Sequence, residues 1–308
     1  MIDKTLTIGT EIEMTGLTRK HAAEAVAKAL GVGRSKTEHY GGAYDAWHVT
    51  ASDGRIWKLM RDSSIAQEDG SDTVGCRGYN DLKVELVTPI LHYEDIEPLQ
   101  EVVRALRAAG AKTNGSCGIH VHVGADKFNG RTLRNLVNIW YSKEDLIYKA
   151  LNVLPRRQSY CKKMEENFLQ HVNEHVPTCV SDLLNTWYTY NGDGALWDRD
   201  SHYNSSRYHA LNLHATNTKG TVEFRVFNST LHAGKVKAYI QFCVAVASQA
   251  LAQKSASPKK TETTNPKYTF RTWLLRLGLI GDEYATCRKH LLANLTGDIA
   301  FRNGRRAA

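Results

Sequence analysis

Two carboxylates one residue apart stand near the start of the chain. Glu11-Ile12-Glu13 lies in a run, Thr5 to Met14, where Ile8, Thr10, Ile12 and Met14 alternate with Gly9, Glu11 and Glu13. A period of two places the acids on one strand face about 7 Å apart, a spacing suited to one or two hard cations. Most such pairs are the wet face of an antiparallel sheet. His120-Val121-His122 sits in an equally apolar run, Cys117 to Gly124, and two same-facing imidazoles can reach a metal or an anionic ligand or be satisfied by hydrogen bonds. Thr221 to Phe227 adds Glu223 and Arg225 to one face. These two either pair with each other or hold a metal and a phosphate together, with the guanidinium fork gripping oxygens. Glu85, between Val84 and Leu86, is a further acid whose claim rests on its company.

Glu11, Glu13, Glu85, His120 and Glu223 thus offer five metal ligands on four strands, mostly oxygen donors with one nitrogen. That set suits Mg2+ or Mn2+ better than zinc. Without cations the acids repel one another, and divalent metals in such clusters commonly neutralise phosphoryl oxygens during transfer.

Several elements must position these groups. A helix is predicted from Thr18, a plausible N-cap, to the stop at Gly31 and Gly33. Trp47 to Thr50 and Arg55 to Arg61 flank the turn Ser52-Asp53-Gly54 as a hairpin, and Leu82 to Ile90 reads as a strand. Ile96 to Leu106 and Arg131 to Leu151 have helical periodicity, whereas Cys179 to Ser206 reads as an ordered loop. Tyr208 to His214 and Thr221 to Phe227 are predicted strands joined by a hairpin turn at Asn217 to Gly220, before a helix from Lys235 to Leu251. Strands joined by hairpins in places and by helices in others predict an α+β fold with a largely antiparallel sheet.

The division expected is a catalytic domain over residues 1–253, a Ser-, Thr- and Lys-rich linker over 254–265, and a small helical module with a basic tail over 266–308. Composition is that of an ordinary globular protein: 42% hydrophobic and 23% charged, which excludes disordered, collagen-like and disulfide-scaffold classes. The formal charge of +8 favours anionic partners, and Lys259, Lys260, Arg302, Arg305 and Arg306 concentrate it near the end. Six dispersed cysteines, Cys76 among them, with no CxxC pair fit a reducing cytoplasm. The N-terminus shows no export signal. The most apolar stretch, Ala238 to Leu251, is shorter than the ~20 residues of a bilayer span, and it reads as a buried helix.

The order TIGTEIEMTGL, WKLMRDSSI, VELVTPIL, CGIHVHVG, LPRRQSYCKKM, RYHALNLHA and GTVEFRVFNSTL resembles the amidoligases, which are similar to glutamine synthetase and glutamate-cysteine ligase. The resemblance spans about Thr7 to Leu251 and implies a glutamine synthetase-like fold, with a curved sheet and flanking helices. It also implies a carboxylate-amine ligase that consumes ATP: the carboxylate is phosphorylated, an amine attacks the acyl phosphate, and an amide, ADP and phosphate result. By that resemblance Glu11, His120 and Glu223 hold one metal near the ATP phosphates, and Glu13 and Glu85 hold the metal nearer the acceptor. Arg225 and Arg207 grip the transferred phosphoryl group, and Asp62 positions or deprotonates the amine. His122 lies near the nucleotide, and Arg157 and Asn212 fall at motif positions for nucleotide or substrate. Its partners would be small-molecule or peptide acids and amines, with no membrane and with oligomers allowed. Two other readings predict different behaviour: a metal-dependent hydrolase built on His120 and His122, and a non-catalytic protein whose basic tail meets nucleic acid.

Overall fold

The computed structural model describes residues 1–67, 80–191 and 197–303. Cys76, Arg305, Arg306 and part of the predicted loop Cys179 to Ser206 lie outside the described residues. The elements run β1 (Ile8–Met14), α1 (Arg19–Ala29), β2 (Thr37–Gly41), β3 (Ala46–Thr50), β4 (Ile56–Met60), β5 (Val84–Val87), α2 (Ile96–Ala108), β6 (Gly118–Gly124), α3 (Gly130–Leu151), α4 (Glu166–Glu174), α5 (Val180–Tyr190), β7 (Leu211–Asn212), α6 (His214–Thr218), β8 (Thr221–Asn228), α7 (Ala233–Ala252), α8 (Pro266–Arg276) and α9 (Ala285–Leu292). The strands form one sheet in the order β2-β3-β4-β5-β1-β6-β8-β7, and the pairs β1–β5, β2–β3, β3–β4, β4–β5 and β7–β8 are antiparallel. The α+β, largely antiparallel expectation holds. The chain divides into two compact units: Thr7–Val121 with Phe227–Lys237, and Met1–Leu6 with His122–Val226 and Ala238–Ala308.

In the first unit, alternation does the work read from the sequence. Ile8, Ile12 and Met14 are buried on one face of β1, as are Val84 and Leu86 of β5 and Trp57 and Leu59 of β4. The opposite face is thereby left to the acids. Thr18 caps α1 by accepting the His21 N–H at 3.3 Å, as its side chain predicted. Gly16, between strand and helix, has φ +86, and a Cβ there would stand 2.9 Å from the Gly110 carbonyl oxygen; both facts require glycine. Arg19 is buried and donates to the carbonyls of Asn80 and Lys83 at 2.8 and 2.9 Å as well as to the Asp45 carboxylate. One side chain thus ties the start of β3 to the entry of β5.

The second unit is built on two buried helices. α3 starts with a reciprocal cap, the Asn129 side chain accepting the Thr132 N–H at 3.0 Å while Thr132 Oγ1 accepts the Asn129 N–H at 2.8 Å. It ends at Asn152, which adopts a left-handed conformation at φ 48. α7 contains the apolar stretch expected to be a core helix, and Ala238, Phe242, Val244 and Val246 are fully buried. Among the described residues no helix is long and apolar enough to cross a membrane. Residues 254–265, expected as a linker, carry no helix or strand but run along α3. Asn138 donates to the Ala256 carbonyl at 2.9 Å, Thr261 N–H donates to the Ser142 carbonyl at 3.0 Å, and Lys143 donates to Thr261 Oγ1 at 2.5 Å. Beyond them Phe270 and Trp273 of α8 pack on Phe242 at ring separations of 6.3 and 5.6 Å, and Asn294 donates to the Ala150 carbonyl at 2.9 Å.

Two expectations need correction in this unit. The predicted loop Cys179 to Ser206 contains α5, because Leu183, Leu184, Trp187 and Tyr188 recur at helical spacing and are buried; polar and aromatic neighbours disguise that periodicity. The predicted hairpin turn at Asn217 to Gly220 is displaced by α6, and the strand before it shrinks to Leu211–Asn212. The Asn212 side chain starts the helix by accepting the His214 N–H at 2.8 Å, which ends the extended run there.

Glu144 on α3 has a side chain only 1% exposed. It accepts from Met164 N–H at 3.0 Å and Trp140 Nε1 at 3.2 Å, and Lys260 stands 3.6 Å away. Burial dominates these partners and raises its pKa from 4.5 to about 7. Because the folded state favours the protonated form, the stabilising contribution is complete below pH 4.5 and is lost as pH rises through about 7. Glu144→Gln should therefore gain stability relative to the wild type between pH 4.5 and 8, by about 3 kcal/mol. Urea melts across that range check this, and a variant whose offset from wild type does not change with pH would refute it.

Candidate active site

In the first unit β1 and β5 bring the acids together through register. Glu13 lies opposite Glu85, and Glu85 lies opposite Met60, two residues before Asp62. His120 of β6 donates from or accepts at Nδ1 2.8 Å from Glu11 Oε2, while its Nε2 is 3.7 Å from Glu13 Oε1. The Gly118 N–H donates to Glu13 Oε2 at 2.6 Å and Ser229 Oγ donates to the Glu13 backbone carbonyl at 2.5 Å, so this residue is held at its carboxylate and at its backbone. Glu13, Glu85 and His120 are buried, and Glu11 is nearly so.

The result is two groups of potential ligands with Glu85 in common. Glu11, Glu85 and His120 each present an atom within 4.8 Å of the others, and so do Glu13, Asp62 and Glu85. Carboxylate oxygens joined by a single imidazole nitrogen fit a hard divalent cation. Asp62, reached from sequence only through the resemblance, is drawn into the second group by the turn after β4, where its Oδ1 accepts the Ser64 N–H at 2.7 Å.

The second unit holds the other candidates. Glu223 and Arg225 of β8 do pair: Arg225 Nη1 donates to Glu223 Oε1 at 2.6 Å. Asn212, opposite Glu223 in the β7–β8 register, donates to Glu223 Oε2 at 2.6 Å. His122 places Nε2 3.8 Å from Glu223 Oε1 and Nδ1 2.8 Å from Thr221 Oγ1. Arg157 Nη2 donates to the Arg225 carbonyl at 3.1 Å. Glu223, Arg225, Asn212, His122 and Arg157 are all buried, so this is a desolvated ion-pair network in which one carboxylate organises a guanidinium, an amide and an imidazole.

Arg207 is placed differently. Its Nη1 donates to the His202 carbonyl at 2.7 Å, and its guanidinium lies 5.9 and 5.7 Å from the ring centres of Tyr203 and Tyr208.

Sequence reading missed Thr221, although it shares the alternating face of Glu223 and Arg225 and so was detectable by period alone. It also missed Ser229 and the Gly118 N–H. A backbone donor leaves no trace in residue type, and Ser229 follows the end of its strand.

A comparison with curated proteins finds no match to this chain. The family described as "putative amidoligase enzyme" matches residues 4–247, more than three quarters of the chain and a stretch that contains every candidate residue above, and the protein belongs to that family.

Proposed function

We propose that the protein is an ATP-dependent carboxylate-amine ligase that works through an acyl phosphate, with the glutamine synthetase-like fold that this chemistry implies. The observation that carries the reading is the pair of acid-rich ligand groups sharing Glu85. Mg2+ or Mn2+ would be held by Glu11, Glu85 and His120 and by Glu13, Asp62 and Glu85, with Glu223 as a further proposed ligand, and when bound would supply charge neutralisation at phosphoryl oxygens. Neither of these two groups holds more than one imidazole, which favours this reading over a zinc hydrolase built on two histidines.

The reaction needs a carboxylate oxygen to attack the terminal phosphorus of ATP as ADP leaves. A free carboxylate would have to expel oxide, whereas the acyl phosphate expels phosphate when an amine nitrogen attacks its carbonyl carbon. Arg225 is suited to grip the phosphoryl oxygens because Glu223 orients its fork and Arg157 holds its backbone. His122 and Asn212 keep Glu223 in place and serve the nucleotide side of the reaction. Asp62 is the candidate to take the proton that the amine must lose before attack. Arg207 is engaged with Tyr203 and Tyr208, so phosphoryl gripping rests on Arg225.

With a competent acid, ATP, Mg2+ and hydroxylamine in place of the amine, a hydroxamate should accumulate in step with ADP. Formation of AMP and pyrophosphate would instead mean adenylation and overturn the acyl-phosphate route. Glu11→Gln removes one charge and little volume from a ligand group; turnover should fall about a hundred-fold or more, while the melting temperature without metal holds or rises as repulsion among the acids falls. An active variant would leave Glu11 with a structural role alone.

A further inference from the structure

The surface around Arg207 has a construction that the ligase reading does not use. Tyr160 and Tyr208 meet edge to face at 5.9 Å, and the Arg207 guanidinium stands against both Tyr208 and Tyr203. Rings and guanidinium therefore follow one another without a break: Tyr160, Tyr208, Arg207, Tyr203. Tyr203 is 66% exposed and Tyr160 is 43% exposed.

The segment that carries them is held firmly. Lys162 N–H donates to the Tyr208 carbonyl at 2.8 Å, and Ala210 N–H donates to the Lys162 carbonyl at 2.9 Å, so Tyr160 and Tyr208 come from two stretches of backbone zipped side by side. His214 donates from Nε2 to the Ser201 carbonyl at 2.9 Å while the Tyr188 hydroxyl donates to its Nδ1 at 2.8 Å. His209 donates from Nδ1 to the Ser206 carbonyl at 2.8 Å. Burial lowers the pKa of His209 to about 4 and pushes that of His214 down as well, so both clamps are neutral and intact at physiological pH. The exposed rings are thus presented on a framed loop.

We infer that Tyr160, Tyr208, Arg207 and Tyr203 form a stacking surface for the unpaired bases of a single-stranded nucleic acid. Every base offers a π-face, and tyrosine rings interleaved with a guanidinium accept such faces without regard to sequence. Exposed Lys162, flanked by Tyr160 and bonded through its backbone to Tyr208, and exposed Arg156, in the turn that leads into Tyr160, supply the charge that follows a phosphate chain. Exposed cations beside the rings match the charge of a phosphate chain better than the apolar centre of a protein interface. Three rings and a guanidinium in one chain of contacts offer more than one stacking place, which suits successive bases of a strand better than the single base of a mononucleotide. This surface stands on its own geometry and does not depend on the ligase reading.

Fluorescence anisotropy of the full chain with a labelled twelve-nucleotide oligoadenylate RNA tests it, with a duplex of equal length as comparison. The single strand should bind more tightly than the duplex. Tyr203→Ala should weaken it about ten-fold, and Tyr203→Phe, which keeps the ring, should stay within about two-fold. Tyr203 is mostly exposed, so neither variant threatens the fold. No binding of the single strand by the wild type, equal affinity for the duplex, or equal losses in the Ala and Phe variants would overturn the inference. Binding that survives Tyr203→Ala and disappears on neutralising Arg302, Arg305 and Arg306 would place it on the tail and overturn it too. A Tyr203→Ala variant that loses ATP while the wild type ignores RNA would assign the rings to the base of ATP instead.

Discussion

Carboxylates forced face to face are the constraint around which the first unit is organised. Glu13 and Glu85 occupy directly opposed positions of an antiparallel pair, an arrangement that destabilises a sheet when both are charged. Both are buried, so water cannot screen them. The fold answers with the donors it has: the Gly118 N–H on Glu13, and the His120 imidazole facing Glu11 and Glu13. These relieve the repulsion in part and leave oxygen atoms from three or more acids grouped at ligand distance. The proposed cation would relieve what remains, and hydrophobic burial on the other face of the same strands supplies free energy that holds the cluster together.

Register is what makes this possible. The apolar set of β1, Ile8, Ile12 and Met14, is fully buried, and a slip of one residue would exchange it with Glu11 and Glu13. Core packing therefore fixes where the acids point. The same argument holds for β8, where Val222, Phe224 and Val226 are buried on one face and Thr221, Glu223 and Arg225 alternate with them. β6 contributes to both units, with His120 among the acids of one and His122 beside Glu223 in the other.

These alternations were visible in the sequence because they are local. The strands bearing Glu11, Glu85, His120 and Glu223, the α1 cap at Thr18 and the buried helix over Ala238 to Leu251 follow from period and capping alone. Which acids meet was not visible, since the opposition of Glu13 and Glu85 depends on a pairing across more than seventy residues of chain. The resemblance to a family bridged that gap, and it also brought in Asp62, which no pattern had marked. Where local signals competed, reading failed: α5 hides its apolar stripe among Thr, Asn and Tyr, and Asn212 turns a strand into a helix through a side-chain hydrogen bond. The contacts of residues 254–265 with α3 were also out of reach, because a polar, Pro-containing segment looks the same whether it hangs in solvent or is hydrogen-bonded to a helix.

Arg225 and Arg207 show how one residue type is set in two different environments. Arg225 is buried and its fork is set by Glu223, so its charge acts in a medium that magnifies Coulombic forces and suits a compact, highly charged phosphoryl group. Arg207 is half-exposed, spends one donor on its own loop and has its guanidinium 5.9 and 5.7 Å from the ring centres of Tyr203 and Tyr208. There water weakens its charge, and what remains is a planar cation among aromatic faces, which favours broad stacked ligands over a single anion. The resemblance gives both arginines one task, and solvent exposure is what differs between them: under the two proposals the dry one would stabilise charge that moves during a reaction, and the wetter one would hold a ligand by its planar face.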